Sequence, residues 1–390
     1  MAPAAAPPER LPSLTGTRFL AALLVLAFHA SSEGLFADEG TAGTLAALLG
    51  KAGWAGVSFF FVLSGFVLAW SAGPGGAGPG FRRRRIARIY PAHLVTALAA
   101  TALLVAGGAG LAWAEVVPNL LLVQSWFPQP EIFVSGNPVS WSLSCELLFY
   151  LSFPPLWRAL SRIGAGRLWW WAGALAAAVL CVPALAAHLV PGGPVLTMPD
   201  GTVGLHQYWF VYVLPPVRAP EFVLGAVMAR IVREGKWIGL RPLPAAALAG
   251  AGYAAAARVP YLYGLAAATV VPAALLVAAL AHADRTGRRT WLAARPVVRL
   301  GELSFALYLV HRLVLGYGHR ALGAGHSWST PVAALLVLAG FAVSLALAWL
   351  LHTLVEIPAL RRWARPDTAA PPGPAPHRSR NVPSGHGSPN

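Results

Sequence analysis

The chain has 390 residues, of which 57% are hydrophobic and 11% charged, with a mean hydropathy of +0.60. Soluble globular proteins carry roughly 25% charged residues, so a soluble globule is excluded, and apolar segments of about 20 residues recurring from Leu14 to Leu354 describe one polytopic membrane domain. The 29 Lys and Arg against 14 Asp and Glu give a net charge of +15, which in such a chain reports on topology and not on nucleic acid.

In chain order, residues 1–13 form an Ala/Pro-rich segment, followed by a membrane domain over 14–358 and a tail over 359–390. The first apolar run has no small-residue cleavage site after it and reads as a retained signal anchor. The hydropathy predicts an all-α polytopic bundle of about ten transmembrane helices: 14–34, 49–70, 87–108, 139–157, 168–189, 208–229, 242–257, 261–281, 300–319 and 331–354. Leu111–Val123, interrupted by Glu115, Pro118 and Asn119, is too short to span and reads as an interfacial or re-entrant piece of a long loop, an eleventh span being the alternative. With the N-terminus inside, 24 of the 29 cations fall on the cytoplasmic side, so both termini are expected in the cytoplasm. The run Gly73–Gly80 reads as a flexible connector, and the Pro/Gly/Ser-rich end from Asp367 as disordered. Cys145 and Cys181 both sit in apolar runs, which leaves no disulfide framework or paired-cysteine metal site.

Ionisable groups in hydrocarbon cost about 3 kcal/mol each or more and mark function by default. Arg18 and His29 lie eleven residues apart in the first span, on one helical face and about 16 Å from each other, with His29 toward the outer side. Glu146 stands in Ser140-Trp141-Ser142-Leu143-Ser144-Cys145-Glu146. If its span begins at Val139, it lies about 10 Å below the outer boundary and His29 about 8 Å, so the two are predicted to meet. A carboxylate beside an imidazole fixes the tautomer and raises its basicity, as acid/base catalysis requires. The competing readings are an interfacial histidine and a self-neutralising structural pair.

Arg218 and Glu221, three apart, read as a self-contained ion pair. In the ninth span Ser304, Tyr308 and His311 form one polar face that should turn into the bundle, His311 being either catalytic or part of a packed polar interface. On the inner side Arg82-Arg83-Arg84-Arg85-Ile86-Ala87-Arg88 anchors topology, and Arg85 with Arg88 at a helix start suits a phosphate-bearing ligand. Gly65, after Ser64, reads as a close helix contact, not as half of a nucleophile elbow, and no metal cluster, phosphate loop or dinucleotide fingerprint is present. The same intramembrane charges would also serve a transporter or flippase of a sugar-containing or lipid-linked molecule.

Seven short patterns occur in order along the chain: Arg18 with His29, Phe59 to Phe66, Arg84 to Pro91, Trp141 to Glu146, Arg218 to Gly225, Gly301 to His311, and Glu356 to Pro358. Together they resemble the acyltransferase 3 family of integral membrane O-acyltransferases. The resemblance implies transfer of an acyl group, most often acetyl, from cytoplasmic acyl-CoA to a hydroxyl of a carbohydrate or sugar-bearing acceptor, at the plasma membrane and without a metal. It implies His29 as catalytic base, Glu146 as the essential acidic position, and Arg18, Arg85 and Arg88 as donor-binding cations, to which the residues add Ser142, Tyr308 and His311 as secondary candidates. Surface polysaccharides and glycosylated secondary metabolites such as macrolides both stay open as acceptors. Direct transfer is favoured over an acyl-enzyme on Ser64 or Cys145.

Overall fold

The structure, a computed structural model, describes residues 11–72, 80–198 and 200–363. The expectations placed on the N-terminal segment to residue 10, on residues 73–79 of the glycine connector and on the tail from residue 364 lie outside the described residues.

The chain runs through α1 (Pro12–Ser32), α2 (Glu39–Leu49), α3 (Ala52–Ala72), α4 (Phe81–Ala106), α5 (Trp113–Leu120), α6 (Pro130–Phe133), α7 (Trp141–Ser161) and α8 (Leu168–Leu189). A hairpin of β1 (Val195–Met198) and β2 (Gly201–Gly204) follows, then α9 (Leu205–Tyr208), α10 (Pro215–Arg233), α11 (Pro242–Ala256), α12 (Tyr261–Leu265), α13 (Ala267–Arg285), α14 (Arg295–Gly323), α15 (Thr330–Leu351) and α16 (Ile357–Trp363). The two antiparallel strands and an isolated parallel bridge between Phe36 and Trp328 are the departures from an all-α fold among the described residues. Each of the ten expected segments coincides with a helix, and seven helices or helix pairs are long and apolar enough to cross a membrane. The other three are α7, α11 and α14: α11 has only 15 residues, whereas α7 and α14 carry polar and charged groups along their length.

Two helix crossings position the rest. α3 packs most extensively on α10 and α1 on α14. At the first crossing a Cβ on Gly65 would stand 1.8 Å from the Phe222 carbonyl oxygen, and at the second a Cβ on Gly301 would stand 1.9 Å from that of Thr15. Only glycine permits backbones this close, the small-residue packing usual between membrane helices. Gly65 is therefore a packing residue, as its sequence context suggested.

The loop from Gly107 to Ser140 folds back into the bundle. Asn119, Gln124, Ser125, Asn137 and Ser140 are buried in it, and their amides and hydroxyls satisfy the irregular backbone that hydrocarbon would leave unpaired. Asn119 Nδ2 donates to the Ser135 carbonyl at 2.7 Å and to Ser140 Oγ at 3.0 Å, while Ser125 Oγ donates to the Trp141 carbonyl at 2.8 Å. The eight-residue α5 is far short of the roughly 20 residues a span needs, in keeping with an interfacial or re-entrant piece. Three of the cations outside the cytoplasmic set meet carboxylates: Lys51 with Asp200 at 2.8 Å, Arg218 with Glu221 at 3.0 Å, and Arg312 with Glu33.

Candidate active site

Three adjoining cavities share Arg18. The widest, of about 1440 Å³, opens beside the start of α1 and is bordered by Leu11, Trp70, Arg88, Glu302 and His352. It narrows to one of about 490 Å³ where Arg18, Arg85 and Arg88 come together with Glu146, Tyr150 and Ser64. The third, of about 410 Å³, continues past Arg18 and Glu146 to Ser304, Ser142 and Tyr308. The elements explain the convergence. Arg85 and Arg88 are one turn apart in the first turns of α4, Arg18 is held by the α1–α14 crossing, and Glu146 enters from α7. The three cations and the carboxylate singled out in the sequence, Arg18, Arg85, Arg88 and Glu146, therefore border one narrow space.

Within that space Tyr150 donates to Glu146 at 2.9 Å. Sequence reasoning missed Tyr150; its place one turn after Glu146, on the same helix face, was the available signal. Above it, Ser142 and Tyr308 hydroxyls lie 2.8 Å apart, and Tyr308 also donates to the Val139 carbonyl at 3.1 Å. Beyond Tyr308 on α14 comes His311, their rings 5.9 Å apart. His311 Nε2 lies 3.0 Å from Nδ1 of His29. Ser304, Tyr308 and His311 are all buried, so the polar face of α14 does turn into the bundle, while His29 keeps partial exposure.

The predicted meeting of His29 and Glu146 does not occur: His29 pairs with His311, and Glu146 pairs with Tyr150 among the arginines. The reason is the re-entrant loop. Asn137 Nδ2 donates to the Leu309 carbonyl at 2.8 Å, and Val139 accepts from Tyr308, so α7 starts level with the middle of α14 and not at the outer boundary. Seven residues on, Glu146 lies about 10 Å further toward the Arg295 end, whereas His311 lies about 4 Å the other way.

Other residues singled out in the sequence are occupied structurally. Arg218 is fully buried, donates to Ser58 Oγ at 3.0 Å and to Glu221 at 3.1 Å, and lies 4.4 Å from the Tyr212 ring centre. Cys145 is buried with its thiol directed at the Val213 carbonyl, 3.6 Å away, and does not border the three cavities. Ser64 does border the narrow cavity. No group of three or more His, Cys, Asp or Glu suited to a metal occurs among the described residues. The turn His352–Glu356 is π-helical, with His352 Nδ1 2.8 Å from the buried Glu356 carboxylate. It places the last of the seven sequence patterns at the wide mouth.

Charged groups converging on a cavity inside a helical membrane protein, with a histidine pair beyond it, suit either chemistry or passage within the bundle. Comparison with known proteins gives the class. The family model described as an acyltransferase domain, of the acyltransferase 3 type, matches residues 11–353. Acyltransferase MdmB of Streptomyces mycarofaciens is 47% identical over 371 residues, covering 91% of this chain and 93% of the relative. No solved structure matches the chain. The chain belongs to the acyltransferase 3 family and is a membrane acyltransferase, so the transporter reading gives way.

Proposed function

We propose that the protein is an O-acyltransferase that moves an acyl group, in the first place acetyl, from acyl-CoA to a hydroxyl of a carbohydrate acceptor, whether polysaccharide or glycosylated secondary metabolite. It acts in the plasma membrane, with ten spans and both termini in the cytoplasm. The observation that carries this reading is the convergence of Arg18, Arg85 and Arg88 on one narrow cavity that opens to a wide mouth. Three guanidinium groups in a confined space call for a polyanion, and the CoA phosphates supply one through charge-assisted hydrogen bonds. The cation count orients that mouth toward the cytoplasm, where CoA is found. Glu146 and Tyr150 act as the counter-group that holds the arginines apart before the donor arrives.

From Arg18 to His29 the rise along α1 is about 16 Å, a distance of the order of an extended pantetheine arm. With its phosphates on the arginines, the donor extends its thioester past Tyr308 toward His29. A hydroxyl has a pKa far above 7, so attack on a thioester needs a base, and general base catalysis contributes about 10² to 10⁴ in rate. His29 takes the acceptor proton as its oxygen bonds to the thioester carbon. The hydrogen-bonded Ser142 and Tyr308 hydroxyls line the donor's way between the arginines and His29. The C–S bond then breaks, and His29 returns the proton to the departing thiolate.

The test is label transfer from radiolabelled acetyl-CoA in membranes containing the protein and an extract with candidate acceptors. His29→Ala is expected to lose at least about 10²-fold in transfer with unchanged accumulation in the membrane; full activity overturns the mechanism. Mass spectrometry of host glycans and secondary metabolites, with and without the gene, then identifies the acceptor.

A further inference from the structure

We infer that His311 is a positioning residue that fixes the tautomer of His29 and leaves Nε2 of His29 as the basic nitrogen, an inference that rests on the reading of His29 as general base. Nδ1 of His311 lies 3.2 Å from the Leu307 carbonyl oxygen. A carbonyl only accepts, so this nitrogen carries a hydrogen, and the neutral ring presents Nε2 as an acceptor. That acceptor is the atom 3.0 Å from Nδ1 of His29. Nδ1 of His29 therefore donates, and its lone pair is on Nε2. The Val25 carbonyl, one turn back on α1, also lies near the His29 ring.

The surroundings hold this arrangement. His311 is fully buried, and its ring is flanked by Tyr308, whereas His29 packs against Phe28 with ring centres 5.0 Å apart. The accessible edge of the pair thus belongs to His29, the ring that must reach an acceptor hydroxyl. When His29 takes the proton, its Nδ1–H still points at the His311 lone pair, which stabilises the cation. A carboxylate would do this more strongly, as in the serine protease triad. At this place in the bundle a neutral imidazole avoids the several kcal/mol that a second buried charge costs.

The experiment compares His311→Gln with His311→Asn in membranes, measuring kcat and the KM for acetyl-CoA. The Gln carbonyl reaches the position of the imidazole Nε2 and can accept from His29. Asn reaches only the Nδ1 position, keeping the bond to Leu307 while leaving His29 without its acceptor. We expect Gln to keep kcat within about tenfold and Asn to lose on the order of 10²-fold, both with unchanged KM. Full activity of His311→Asn overturns the inference, since the Val25 carbonyl would then suffice, and so does an equal loss in both variants. His311→Leu, apolar and similar in volume, repeats the test if Asn fails to accumulate: it should match the loss expected for Asn, and full activity overturns the inference. An active His29→Ala would instead overturn the base reading itself, whatever the His311 variants do.

Discussion

Two of the arginine–glutamate centres in this bundle are built in opposite ways. Arg218 and Glu221 sit three residues apart on α10, both nearly inaccessible, with Ser58 and the Tyr212 and Phe61 rings closing around the guanidinium. Neither borders any of the cavities at the α1–α14 centre. Arg18 and Glu146 come from different helices, keep partial exposure and border the same two cavities, with Arg85 and Arg88 beside them. The first centre spends its charge on the protein itself. The second keeps its charge facing empty space. Burial alone therefore does not mark a functional charge in a membrane protein; what marks it is whether its polar atoms face a space a ligand can enter.

The comparison breaks most visibly if one half of the closed centre is removed. Glu221→Ala leaves Arg218 buried beside Phe61 and Tyr212 without its anion, and losing one partner of a buried pair costs about 3–5 kcal/mol. The expected result is a large drop in membrane accumulation and in thermal stability in detergent. Normal accumulation with selective loss of transfer would move Arg218 and Glu221 to the functional side of the comparison.

A smaller effect is expected at the open centre. Arg88→Ala removes one of three cations facing the narrow cavity and should leave the protein folded. A hydrogen bond to a charged group contributes about 1.5–3 kcal/mol, so the KM for acetyl-CoA should rise about 10- to 100-fold with kcat changed much less. An unchanged KM would remove Arg88 from the donor site, and a comparable fall in accumulation would make it architectural after all.

The sequence disclosed what depends on local spacing. Runs of about 20 apolar residues gave the ten helical segments, the three-residue interval gave Arg218–Glu221, and the four-and-three interval gave the buried face of Ser304, Tyr308 and His311. Ordered short patterns brought Arg18, Arg85, Arg88 and Glu146 to attention, and all four border one cavity. Depth is where the reading failed. It assumed that α7 starts at the membrane surface, whereas Asn137 and Val139 tie that start to the middle of α14 through bonds to residues about 170 positions away. No periodicity encodes a contact of that separation, and so the partner of His29 was mistaken. The β1–β2 hairpin was missed because four-residue strands leave too short a pattern to read.

The smallest expected effect is the sharpest discriminator between the two centres. Replacing a buried ion pair as a unit by apolar side chains of similar size removes the desolvation cost together with the attraction, and is often neutral or stabilising. Arg218→Met combined with Glu221→Leu should accordingly restore most of the accumulation lost in Glu221→Ala, and label transfer from acetyl-CoA should return with it. The matching replacement at the open centre, Arg18→Met with Glu146→Leu, should also accumulate, yet transfer no label, because no apolar side chain can replace a charge that faces the donor. Recovery of transfer in the second double variant would show that its charges, like those of Arg218 and Glu221, serve only each other.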